Sequence, residues 1–220
     1  MARQLYQRDS TAFHLKASRR HIRLARKQKG AEKFADRIIP AQQKLIEKHN
    51  KTILADEKRE DSYDDIMHAD SRLDDSIRTT SENCDQYDRD HPGESVKLKL
   101  FPTGRFTDIT ELKYSEEPAE AERLAASIEI LGNEHPLFPM VAELRSKIAE
   151  VNAAIEAYKA AITELTHAEV EEEAAKAELR QQYEFNYLDG RKELGAKYVE
   201  RIFPVLTTHS KGVAASEAGQ

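Results

Sequence analysis

Four side chains have the types and spacing of a metal site: Asp65 with His68, and Glu164 with His167. In each pair the acid precedes the histidine by three residues, so on a helix both side chains share one face. Neutral imidazole and carboxylate suit iron, manganese or zinc. The pairs lie in two segments that match without a gap, Asp65-Ile66-Met67-His68-Ala69-Asp70 and Glu164-Leu165-Thr166-His167-Ala168-Glu169, 99 residues apart. Both read acid, branched aliphatic, any residue, His, Ala, acid.

Acid-x-x-His pairs on two helices, with a further acid from each of two others, build the di-iron and di-manganese centres of ferritin-like bundles. The likeness here is confined to that local spacing. Two further carboxylates are not identifiable, although Asp61, Asp64, Asp70 and Glu169 are close in sequence. Helix phase also opposes the site. Ile66 and Leu165 sit on the apolar seam, and each histidine follows two residues later, about 200° around the helix. Acids make up 40 of 220 residues, so an acid three places before a histidine is a common coincidence. A metal-binding bundle centred on His68, Asp65, His167 and Glu164 is therefore the alternative reading rather than the leading one.

The offset of 99 extends beyond the hexapeptides. Pro40 matches Pro139, Leu45 matches Leu144, Lys48 matches Lys147, Ala55 matches Ala154 and Glu57 matches Glu156. Arg23-Leu24-Ala25 precedes the first proline, and Arg123-Leu124-Ala125 precedes the second. Leu100-Phe101-Pro102 closes one segment and Ile202-Phe203-Pro204 the other. The order of these marks points to a domain-scale duplication, 1–104 and 105–204, followed by a polar tail, 205–220. A period near 100 is too long for a solenoid repeat.

The elements that must position these residues are helices. No run alternates with β-branched enrichment, and residues 41–90 contain neither Gly nor Pro. A basic helix over 2–29 is expected to stop at Gly30. A long helix over 41–90 carries a seam of Tyr63, Ile66, Asp70, Leu73, Ile77, Thr80, Cys84 and Tyr87. A short helix opens at Glu116-Glu117-Pro118, and Pro139 breaks the chain before the last long helix. That helix has the strongest pattern, with Val141, Leu144, Ile148, Val151, Ile155, Tyr158, Ile162 and Leu165 at successive a and d positions. Asp189-Gly190 is a place for it to kink or end. The fold expected is all-α: an elongated antiparallel helical bundle from two tandem pseudo-repeats, each a shorter helix followed by a long one. About a twofold axis the two acid-x-x-His pairs would meet near its centre.

Composition agrees with solvated helices: 34% charged residues, 39% hydrophobic ones and no Trp. The single Cys84 excludes an intramolecular disulfide and reads as a small buried apolar residue. No apolar run suits a secretory leader or a membrane span, so a cytoplasmic protein is expected. The net charge of −6 hides an asymmetry. Residues 1–30 hold nine Lys or Arg against Asp9 alone, while 52–95 hold fourteen acids against five bases. The basic start is expected to lie against the acidic segment of its own chain, which makes nucleic acid the less favoured partner. Contact with nucleic acid through Arg3 to Lys29 is kept as a second alternative.

The chain has no Gly-rich phosphate loop, no nucleophile elbow and no His-Glu-x-x-His run. The clustered Tyr183, Phe185, Tyr187 and Tyr198 read as packing. Long amphipathic helices without a catalytic signature point to a non-enzymatic bundle. It would act through protein–protein contacts or self-association, as an adaptor or structural component.

Overall fold

A computed structural model of the chain describes residues 4–203, so the tail 205–220, expected to be disordered, lies outside the described residues. The fold is an all-α helical bundle: 81% of these residues are helical and none forms a strand. In chain order the helices are α1 (Thr11–Lys27), α2 (Glu32–Asp90), α3 (Val96–Leu100), α4 (Thr107–Thr110), α5 (Glu117–Ile130), α6 (Pro139–Leu194) and α7 (Ala196–Ile202). No described helix is long and apolar enough to cross a membrane.

Local chemistry explains most of the boundaries. The Ser10 hydroxyl caps α1 by accepting from the Phe13 N–H at 3.3 Å. This start is nine residues later than the expected helix over 2–29. The stop holds, with Gly30 at φ +83° just beyond it. Two expectations need correction. Pro40 does not precede the long helix but lies inside α2. Its ring is exposed, while Phe34, Ile38, Ala41 and Leu45 around it are buried. Tertiary packing of that face offsets the backbone hydrogen bond that proline removes. Gly190 does not end α6, which runs on to Leu194. A Cβ there would meet Val199 Cγ2 at 3.1 Å, so the glycine lets α7 lie close against α6.

The chain divides into two compact units, and the division falls within both long helices. The first comprises the described residues of Met1–Thr52 and His167–Gln220, the second Ile53–Thr166. In the first, Arg37–Asp189 (3.1 Å), Lys44–Glu178 (2.5 Å) and Lys51–Glu171 (2.8 Å) join α2 to α6. Numbers rise along one helix as they fall along the other, so the two run antiparallel. In the second, Lys58–Glu164 (2.7 Å) and Arg72–Glu150 (2.7 Å) repeat the arrangement. The first core gathers Leu15, Phe34, Ile38, Leu45, Leu179, Tyr183, Ile202 and Phe203. The second gathers Leu73, Ile77, Cys84, Phe101, Leu124, Ile128, Leu144 and Val151.

Each unit has one piece of α2, one piece of α6 and shorter helices in contact: α1 with α7 in the first, and α5 with both α3 and α4 in the second. Burial recurs at the offset of 99. Leu45 and Leu144, Ser62 and Ala161, Ala69 and Ala168, Ser76 and Ala175, Thr80 and Leu179, and Cys84 and Tyr183 are all buried. At an offset of 100 the same holds for Ala17 and Glu117, His21 and Ala121, and Ala25 and Ala125. Each compact unit takes pieces from both of the segments 1–104 and 105–204.

A buried polar latch ties four helices of the first unit together. His21 Nδ1–H donates to the Ile202 carbonyl at 2.8 Å, and its Nε2 accepts from Asn186 Nδ2 at 3.2 Å. Asn186 Nδ2 also donates to the Phe34 carbonyl at 2.6 Å, and its oxygen accepts from Gln182 at 3.1 Å. The carbonyl partner fixes the tautomer, because Ile202 O can only accept. The His21 ring stacks on Phe203 with centroids 4.2 Å apart.

Cys84 is fully buried in the second core, and burial pushes its thiol up to about 12. A thiolate is the reactive form, so an aromatic disulfide reagent should not label the native protein on the minute scale. Labelling should become fast only in denaturant. Equal rates in both conditions would contradict the burial.

Candidate functional site

The two acid-x-x-His pairs stand on helices as their spacing requires, and all four side chains are exposed. Glu164 is held by Lys58 at 2.7 Å. His68 lies further along α2, near Glu150, whose carboxyl is held below its usual range first by Lys147 and then by Arg72 and His68. Ten residues of helix separate Lys58 from His68, about 15 Å at 1.5 Å per residue. Within the second unit Glu164 and His68 therefore stand at different levels. Asp65 shares the exposed face of His68, and His167 begins the α6 piece of the first unit. Among the described residues no group of three or more His, Cys, Asp or Glu side chains is placed to hold a metal ion.

Instead, the second unit brings together a carboxyl cluster and an open apolar face. Asp70 and Asp74 lie one turn apart on α2, and Glu117, in the first turn of α5, comes down onto them. Glu117 is only 1% exposed, and burial, then its hydrogen bond with Asp70 and the charge of Asp74, push its carboxyl up to about 9. Asp74 is also raised, by burial first, with Asp70 adding to it. Protonated Glu117 serves as the donor that joins the three groups and anchors the start of α5. One oxygen of each remains buried without another partner. A shared proton is the physical solution for carboxyls in contact, since two like charges cannot both ionise cheaply there. Asp70 was already visible in the sequence as an acid on an apolar seam. Its partner was not, because Glu117 in a helix's first turn reads as a residue favoured by the helix dipole.

Beyond Asp70, α3 covers α2 further. Asp88 accepts from the Val96 and Lys97 N–H groups at 2.7 and 2.9 Å, and Lys97 Nζ donates to the Ser81 carbonyl at 3.1 Å. On the other side of Asp70 this cover ends. Tyr63 on α2 meets Tyr158 on α6 with the rings 5.6 Å apart, and Met67 and Ile162 each follow one turn further along their own helix. Tyr63 is 40% exposed, Met67 47% and Ile162 40%. The seam beneath is narrow, built from Ala55, Ser62, Ile66, Ala69 and Ala161. The a and d pattern of α6 is thus buried from Val141 to Val151 but emerges at Ile162.

No protein-family model, curated protein or solved structure matches the chain. The site has to be read from its own chemistry. It offers no nucleophile with an adjacent base, and its strongest perturbed acid is buried under α5. What it presents to solvent is aromatic and aliphatic surface on two parallel-lying rods of opposite direction, the form of a groove that receives a third helix.

Proposed function

We propose that the protein is a non-enzymatic helical-bundle protein acting through protein–protein contacts, as an adaptor or structural component. The observation that carries the reading is the uncovered face of Tyr63, Met67 and Ile162, beside Tyr158, on two adjacent helices. Large apolar side chains grouped on a soluble surface mark an interaction site more often than isolated ones do. Aromatic residues and Met are also enriched at such sites. The partner that fits is an amphipathic helix whose apolar residues recur at i, i+3 or i+4, and i+7. It would lie where α5 stops covering α2.

A photo-crosslinking amino acid at Met67 should capture one defined protein in the native host, and the same probe at exposed Glu57 should not. The triple variant Tyr63→Ser, Met67→Ser, Ile162→Ser should fold normally, with stability changed by less than about 1 kcal/mol because the side chains are half exposed. It should lose at least about tenfold in affinity for the captured protein, as removal of a few anchoring side chains does. A captured partner that binds the triple variant undiminished would refute the reading.

A further inference from the structure

The basic helix α1 belongs to the first unit, where it packs against α7, while residues 53–95 of the acidic segment belong to the second. α1 contains Lys16, Arg19, Arg20, Arg23, Arg26 and Lys27 and no acid. Its buried side is formed by Thr11, His14, Leu15, Ala17, Ser18, His21 and Ala25. At 100° per residue all six bases fall on one arc of about 120° on the other side. Five are exposed and Arg20 is half-buried. None of the six is in an ion pair among the described residues. In the same unit α2 pairs with acids of α6: Lys33 with Glu193, Arg37 with Asp189, Lys44 with Glu178, and Lys48 and Lys51 with Glu171.

We infer that α1 is a docking surface for the phosphate backbone of a nucleic-acid duplex, bound without sequence preference. The stripe from Lys16 to Lys27 is about 16 Å long at 1.5 Å per residue. Six cations in that length call for a partner of comparable anionic density. A duplex supplies one phosphate per about 1.7 Å of its axis. Four of the six are arginines, whose planar forks match phosphate oxygens. An anionic membrane is the poorer fit. α1 contributes no exposed large apolar side chain, and an interfacial helix needs one face to bury among the acyl chains. The net charge of −6 does not oppose the contact, because salt at physiological strength screens charges beyond about 8 Å. The surface is separate from the apolar face of the second unit and does not depend on it.

The test is fluorescence anisotropy of the full chain with a labelled mixed-sequence duplex of about 20 base pairs. At about 50 mM salt the dissociation constant should be in the micromolar range, and about four phosphate contacts should weaken binding about 100-fold by 200 mM. Arg19→Gln, Arg23→Gln, Arg26→Gln should fold with an unchanged melting temperature and lower the slope of log affinity against log salt by about three. Lys44→Gln, Lys51→Gln, which removes bases already paired, should leave the affinity within about twofold. Absent binding at low salt overturns the inference. So does an α1 triple variant that binds normally, or a paired-lysine control that loses as much. Tighter binding to phosphatidylcholine vesicles containing one-third phosphatidylserine than to the duplex would assign the stripe to a membrane surface instead.

Discussion

Glu117→Gln should stabilise the protein at neutral pH by about 3 kcal/mol and should abolish its loss of stability toward alkaline pH. Burial beside Asp70 and Asp74 raises the folded-state Glu117 carboxyl to about 9, well above the 4.5 of a free glutamate. Between those values the folded state keeps a proton that the unfolded chain has released. The contribution of the protonated cluster is therefore complete below about pH 4.5 and is lost as the pH rises through about 9. Glutamine keeps a donor for the two aspartates and does not titrate. Urea midpoints of both proteins from about pH 6.5 to 9, above the window in which His21 titrates, provide the check: the wild-type curve should fall across that range and the variant curve should fall much less. Parallel curves would mean that Glu117 ionises normally. Hydrogen exchange should place the difference in α5, which Glu117 anchors.

In the first unit the sign is reversed. Acidification from about pH 6.5 to 4 should remove about 3 kcal/mol through His21. Burial lowers the folded-state imidazole from 6.5 to about 4, opposed by its hydrogen bond to Ile202. Here the unfolded chain holds the extra proton inside the window. The stability contributed by neutral His21 is present above about pH 6.5 and lost as the pH falls through 4. The geometry agrees, since a proton on Nε2 would set a donor against the Asn186 amide N–H it now accepts from. His21→Ala should remove this window and should cost about 2–4 kcal/mol at neutral pH, because the Ile202 carbonyl and the Asn186 amide each lose a partner inside the core. Hydrogen exchange of α1 and α7 amides should report the loss first. Unchanged protection of those helices at about pH 5 would contradict it.

The two titrating groups occupy opposite choices at matching places. At the offset of 100, Glu117 corresponds to Ala17 and His21 to Ala121, and all four are buried. α5 thus carries buried Glu117 where α1 carries Ala17, and α1 carries buried His21 where α5 carries Ala121. The tertiary neighbours differ accordingly: Asp70 and Asp74 lie below Glu117, while Asn186 and the Ile202 carbonyl meet His21.

The helical class, the long gap-free helices, the stop at Gly30 and the burial of Cys84 are local or periodic properties, which is why they were legible in the residues alone. A 3.6-residue period records which face a helix will bury, whatever it packs against. Position along a partner helix leaves no such trace. Asp65 and His68 were readable as a pair, but only packing sets Lys58 opposite Glu164 and Arg72 opposite Glu150, which leaves Glu164 and His68 at different levels. Pro40 reads as a break because its local cost is certain, while the packing that outweighs it comes from residues far away in sequence. The destination of charge was equally hidden. The lysines of α2 meet the acids of α6 because those helices run antiparallel, and the arginines of α1 face solvent because its other side is buried.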